Sequence, residues 1–238
     1  MKQIRFFVLL LLLLLSNRIE AQHIFLISVG IADYPGTRND LLLPVHDAED
    51  IYDLYNINTK TTSVLLTDSS AKKKRIVKEM HRLFERAGKD DIVVLFFSGH
   101  GLPGGFVAYD GLLTYEEIRQ SFSESKARNK MIFVDACYSG DIRENSANRF
   151  NDSKNNIMLF LSSRGNEFSG EYPKLRNGFF TTCLLRSLKG GADTNYDHII
   201  TAKELFAAVS SGVKTLSQDE QHPVMWGNFD NDMPVMIW

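Results

Sequence analysis

The sequence is poor in the features that define several large classes of protein. Among its 238 residues there are only two cysteines, Cys137 and Cys183, too few for the disulfide framework that holds small exported domains together. Its longest early apolar block, Phe6 to Leu15, runs for ten residues, well short of the ~20 that span a bilayer. There is no basic surplus either: 27 Lys and Arg stand against 29 Asp and Glu, a net charge of −2, so the electrostatic footprint of a nucleic-acid partner is missing. No internal repeat and no low-complexity tract interrupts the chain, which excludes a solenoid and a disordered linker protein.

What is present begins with MKQIRFF, an apolar leucine block and the polar SNRIEA. A basic start, a short apolar stretch and a small residue before a polar segment describe a secretory signal peptide over residues 1–21, cleaved after Ala21. No cysteine lies near that point to carry a lipid, so the expectation is an exported protein, periplasmic or secreted, without a stable membrane anchor. Loss of Lys2, Arg5, Arg18 and Glu20 leaves 24 basic and 28 acidic residues, a net charge of −4. Residues 22–238 are enough for one α/β domain with a sizeable core.

The chain is organised around Lys130 to Gly140, KMIFVDACYSG. Met131 to Val134 reads as a buried strand that stops at Asp135, Ala136 and Cys137. Asp91 to Gly101 repeats the design: DIVVLFF is a second buried strand, ending in Ser98, Gly99, His100 and Gly101. A thiol and an imidazole are thereby delivered to the ends of two core strands, where open α/β folds bind their ligands. A lone cysteine after a strand is ordinarily a small core residue, and Cys183, at helical spacing with Phe179, Phe180 and Leu184, is read as one.

Other segments alternate strand with helix. HIFLISVG over His23 to Gly30 and Thr62 to Leu66 read as strands, Val45 to Tyr55 and Ser70 to Ala87 as amphipathic helices. GLPGGFVAYDGLLT reads as a hairpin, Tyr115 to Phe122 as a short helix, 141–156 and 162–177 as polar loops around a strand at Ile157 to Leu161. Helices at Gly178 to Leu188 and Thr201 to Leu216 and two short terminal strands complete the chain. Strand and helix in alternation predict a parallel, doubly wound sheet.

The chemistry follows from the residue types. A thiolate is the nucleophile, and an imidazole beside it lowers the thiol's pKa and returns the proton to the leaving amine. Backbone N–H groups of a glycine-rich turn stabilise the tetrahedral oxyanion. Cys137 as nucleophile, His100 as acid and base, and the amides of Gly101 and Cys137 as oxyanion hole form a complete set that needs no cofactor.

These motifs, FFSGHG around His100 and VDACYSG around Cys137, together with ISVGIADYPG, LPVHDAEDIYDLY, SSRGNEFS, NGFFTTCLLRSLKG and TAKELFAAV, resemble the caspase and metacaspase family of cysteine peptidases. The resemblance covers nearly the whole of residues 22–238. It implies a caspase-like three-layer α/β/α sandwich with a mostly parallel central sheet, and protein or peptide substrates. Where caspases resemble one another in carrying Gln two residues before the nucleophile, this chain has Asp135. A carboxylate at the floor of the primary (S1) pocket attracts a cationic side chain and repels the Asp that caspases accept. The metacaspase likeness places Asp47 and Ser98 in the same pocket, and the expectation is cleavage after Arg or Lys. Clostripain- or legumain-like peptidases share the dyad with other specificities, and a catalytically silent caspase-fold scaffold is an alternative of another class.

Calcium is a separate expectation. Asp193, Asn195, Asp197 and Glu204 occupy positions one, three, five and twelve of an EF-hand-like loop, with the carbonyl of Ile199 at seven. His198 stands where the pattern wants glycine. Intact-mass measurement of the protein recovered from an exporting host should return residues 22–238; a chain retaining Met1 to Ala21 contradicts the signal assignment.

Overall fold

The computed structural model describes residues 22–36, 38–136, 157–164 and 175–238. The expected signal peptide and the polar loop 141–156 lie outside the described residues. In chain order the elements are β1 (Ile24–Gly30), α1 (Pro44–Asn56), β2 (Thr61–Thr67), α2 (Lys73–Phe84), β3 (Ile92–Ser98), β4 (Gly101–Leu102), β5 (Gly105–Ala108), β6 (Gly111–Thr114) and α3 (Tyr115–Ser123). Then follow β7 (Asn129–Asp135), β8 (Ile157–Leu161), α4 (Phe179–Arg186), β9 (Ile199–Thr201), α5 (Ala202–Leu216), β10 (Val224–Gly227) and β11 (Pro234–Ile237).

Six strands form the central sheet in the order β10-β8-β7-β3-β1-β2. The four pairings from β2 through to β8 are parallel, and only β10 runs antiparallel, against β8. Strands buried on both faces read as continuous apolar runs, and β1, β3 and β8 are buried at every position. The period of two divides those side chains between two cores. Phe25, Ile27, Val29, Val93, Leu95, Phe97, Ile132 and Val134 pack on Ile76, Met80, Leu83 and Phe84 of α2 and Ile118 and Phe122 of α3. Leu26, Val94, Phe96, Met131, Phe133 and Phe160 face Ala48, Ile51 and Leu54 of α1, Phe180 and Leu184 of α4, and Leu205 and Val209 of α5. The expected three-layer α/β/α sandwich is therefore the observed architecture.

Boundaries depart from the sequence reading where side chains compete with helix. The helix expected from Ser70 starts at Lys73, because Asp68–Ser70 forms a tight 3₁₀ turn in which the Thr67 N–H donates to Ser70 Oγ at 2.8 Å. The expected hairpin gains a third strand, β4, and becomes a meander β4-β5-β6. Strand β9, absent from the sequence reading, pairs with β11 in a separate two-stranded sheet. α3 and α5 begin on reciprocal caps, Thr114 with Glu117 and Thr201 with Glu204, each replacing orphan donors of a first turn. The Cys183 thiol is buried, as expected of a core residue.

Phe160 joins Phe180 at 5.0 Å, Phe206 at 5.8 Å and Phe133 at 6.4 Å between ring centroids, so it knits β8 to α4, α5 and β7. Phe160→Ala is expected to lower unfolding stability by about 3–5 kcal/mol, read from urea denaturation.

Candidate active site

Parallel, unshifted pairing brings three strand ends into one row. Gly30 of β1 stands opposite Ser98 of β3, and Ser98 opposite Asp135 of β7. The ladder runs one step past the strands, through Ile31 N–H to the Ser98 carbonyl at 3.1 Å and Gly99 N–H to the Asp135 carbonyl at 3.2 Å. Ser162, after β8, fastens the next residue of β7: its hydroxyl accepts from the Ala136 N–H and donates to the Ala136 carbonyl, both at 3.2 Å. The chain continues from Ala136 into Cys137, which lies outside the described residues.

His100 sits at this edge, half-buried. Its Nε2 is 2.7 Å from the carbonyl oxygen of Asn39; a carbonyl only accepts, so Nε2 carries the proton and Nδ1 of the neutral ring keeps the lone pair. The backbone N–H of His100 donates to the Tyr34 hydroxyl at 2.9 Å, and that hydroxyl donates to the Val107 carbonyl at 3.1 Å. The two rings lie 4.8 Å apart. Burial pushes the Tyr34 phenol well above its ordinary range, which keeps it a neutral donor. Gly99 makes the approach possible: at φ +155°, a Cβ there would stand 2.6 Å from the Tyr34 hydroxyl. Gly101, expected to offer an oxyanion-hole amide, is buried at the start of β4.

The expected pocket residues converge. Ser98 Oγ donates to Asp47 Oδ2 at 2.8 Å, joining β3 to the first turn of α1. Asp47 Oδ1 accepts from the Gly178 N–H at 3.0 Å, and Asp135 Oδ2 accepts from the N–H and hydroxyl of Thr181 at 3.1 and 2.8 Å. Both carboxylates thus cap α4, whose own N-cap is Gly178 and has no side chain to do so. A Cβ on Gly178 would lie 2.6 Å from Asp135 Oδ2 and 3.5 Å from Asp47 Oδ2, so only glycine leaves room for both. Exposure is 2 % at Asp47 and Ser98 and 6 % at Asp135. Burial, and then the negative charge of Asp135, hold the Asp47 carboxyl well above the usual carboxylate range.

Four of these positions, Tyr34, Asn39, Gly178 and Thr181, were invisible to sequence reasoning. Asn39 acts through its backbone, which no side-chain motif reports.

The EF-hand-like loop is only partly assembled. His198 takes the left-handed conformation the missing glycine would have supplied, φ 65°, and its N–H donates to Asp193 Oδ2 at 3.1 Å. Asn195 Oδ1 accepts from the Asp197 N–H, and Asp197 Oδ1 from the Ile199 N–H. Glu204, however, is spent on Thr194 and Thr201, accepting from the N–H and hydroxyl of each.

A mostly parallel sandwich that gathers an imidazole and two acidic side chains at the carboxyl edge of its sheet defines an α/β enzyme whose ligand site lies outside the strand ends. The family model of the caspase domain matches residues 25–233, and the chain belongs to that family of cysteine-type peptidases. Its fold is similar to that of protein GSU0716 from Geobacter sulfurreducens, seen in a crystal structure, with a TM-score of 0.70 at 18 % identity over 90 % of this chain and 99 % of that one. No curated protein matches the chain. Among the described residues no helix is long and apolar enough to cross a membrane.

Tyr34→Phe removes the acceptor of the His100 N–H and the donor to Val107 together. It should lower stability by about 1–3 kcal/mol, measured by urea unfolding; an unchanged midpoint means the hydroxyl does not hold the histidine strand end.

Proposed function

We propose that the protein is an exported cysteine endopeptidase that cuts after Arg or Lys, with Cys137 as nucleophile and His100 as general base and acid. The observation that carries this reading is the pairing of two buried carboxylates, Asp47 and Asp135, at the sheet edge that also carries His100, with no cationic side chain of the described residues acting on Asp47. A substrate guanidinium or ammonium is the charge such a pocket lacks, and an Asp side chain is repelled by it.

The chemistry follows from the histidine's tautomer. With Nε2–H held on the Asn39 carbonyl, Nδ1 takes the thiol proton. The thiolate attacks the scissile carbonyl, the amides of Gly101 and Cys137 receive the developing oxyanion, and the imidazolium returns the proton to the leaving amine. Water then releases the acyl group. The Asn39 carbonyl holds the plane of the ring, as an acceptor at that position does in other Cys–His sites.

The chemistry needs no metal. Calcium at Asp193, Asn195, Asp197, Ile199 and Glu204 would act from a distance, and Glu204 would first have to leave Thr194 and Thr201. A melting temperature that is the same in calcium and in chelator removes calcium from the reading.

The test is hydrolysis of fluorogenic peptides ending in Arg, Lys or Asp, beside Cys137→Ala and His100→Ala. Turnover of the Arg and Lys peptides, absent from both variants and from the Asp peptide, is the expected result. Cleavage of the Asp peptide alone overturns the basic specificity, and turnover surviving in Cys137→Ala overturns the nucleophile.

A further inference from the structure

We propose that His81, Glu85 and Glu124 bind a divalent transition-metal ion of the Zn²⁺ class, which ties the carboxyl ends of α2 and α3 together at the edge of the sheet away from the candidate active site. One ligand atom from each residue, an imidazole nitrogen and two carboxylate oxygens, lies within 4.8 Å of the others.

The three side chains stand on a fixed frame. His81 lies in the last turn of α2, and the Glu85 N–H donates to its carbonyl at 3.1 Å, so residues four apart share one helix face. Glu124 follows α3 in the same way, its N–H donating to the Gln120 carbonyl at 3.2 Å. The core locks the two helices together: the rings of Phe84 and Phe122 are 4.8 Å apart, with Met80, Leu83 and Ile118 in the same cluster. Beyond the helices, the Arg128 N–H donates to the Lys89 carbonyl at 3.1 Å, which joins the connections leading into β3 and β7. Each helix presents the negative end of its dipole here, where a cation is favoured and a carboxylate by itself is not.

The placement of protons points to a positive ligand. Ser121, wholly buried, donates its hydroxyl to the Glu117 carbonyl at 3.0 Å and lies 3.4 Å from His81 Nε2. A serine hydroxyl has one proton, so Ser121 accepts from Nε2–H, and Nδ1 of the neutral ring carries the lone pair. That lone pair meets Glu124 Oε2 at 2.5 Å, acceptor against acceptor. The contact requires a positive species shared by both groups, either a proton or a metal ion that both ligate. Glu124 Oε1 accepts from Gln120 Nε2 at 3.3 Å, which leaves Oε2 turned to the imidazole. A histidine whose second nitrogen donates to an outer acceptor, and a carboxylate held by its other oxygen, are the supports a metal centre uses. One imidazole and two carboxylates suit Zn²⁺, whereas Ca²⁺ and Mg²⁺ take oxygen shells. Bonds of about 2.0–2.2 Å place tetrahedral ligand atoms about 3.3 Å apart, within reach of side-chain rotation at Glu85 and Glu124, and water completes the shell. Glu85 and Glu124 come just before β3 and β7, whose opposite ends lead to His100 and carry Asp135. The ion therefore acts on the stability of the helix pair, and no step of the peptidase chemistry passes through it.

The test is titration calorimetry of Zn²⁺ into the untagged Cys137→Ala protein, a background that keeps the ion from the proposed nucleophile. One ion should bind through these residues, excess Ca²⁺ or Mg²⁺ should not displace it, and Zn²⁺ should raise the unfolding temperature by mass action. His81→Ala, Glu85→Gln and Glu124→Gln change side chains at the surface and should stay folded by circular dichroism. Each should lose more affinity than the roughly tenfold to hundredfold that removal of an outer partner costs, and Ser121→Ala, which keeps every ligand, should fall within that range. The rise in unfolding temperature should vanish with His81→Ala. Failure of the Cys137→Ala protein to bind Zn²⁺, or equal binding by the His81→Ala and Glu124→Gln variants, overturns the site. Displacement of the ion by Ca²⁺ overturns the class of metal.

Discussion

The unshifted parallel pairing of β3 with β7 is the constraint from which the site follows. Because Ser98 stands opposite Asp135, the two strands stop at the same level of the sheet, and the residues that follow each are released at one edge. A shift of one residue would turn Asp135 to the other face and separate it from Asp47, since successive side chains of a strand point in opposite directions. The apolar alternation on both faces, with Phe97 and Val134 toward one core and Phe96 and Phe133 toward the other, makes such a shift costly. Core packing and site geometry are thus one specification.

The second level of organisation is the meeting of α1, β3, β7 and α4. Asp47 and Asp135 come from elements distant in the chain, and where they meet burial and the Asp135 charge raise the Asp47 carboxyl above its usual range. Their burial works against stability; the N–H groups and hydroxyls around Gly178, Thr181 and Ser98 offset part of that cost by hydrogen bonding. Burying two carboxylates side by side is a common compromise at functional sites, where local stability yields to recognition. The same helix terminus that is stabilised by the carboxylates also orients them, so the pocket cannot be altered without touching the start of α4.

Much of the fold was legible in the sequence because the signals were long and local. The runs IFLISVG, IVVLFFS and MIFVD are apolar at consecutive positions and bounded by polar turns, and the helical spacing of Ile76, Met80 and Leu83 has one reading. The errors fell where short-range side-chain bonds decide: Ser70 capping a 3₁₀ turn, the two residues of β4, and β9, which is a strand only because β11 pairs with it. In the candidate site, Asp135 and His100 were legible as residue types at strand ends, whereas Asp47 and Ser98 were placed only by the metacaspase likeness. Tyr34 and Thr181 were not legible, because their role depends on a hydroxyl meeting a group from elsewhere in the chain.

The sequence by itself determined the layers, the parallel order of strand and helix, and the delivery of acidic, hydroxyl and imidazole groups to strand ends, because hydrophobic periodicity and turn residues act over a few neighbours. Only the tertiary structure decided that the Asn39 carbonyl selects the tautomer of His100, that Gly178 leaves room for two carboxylates, and that Glu204 serves a helix cap before any metal. Each of those depends on a contact between segments far apart in the chain, where distance and burial, not composition, set the chemistry.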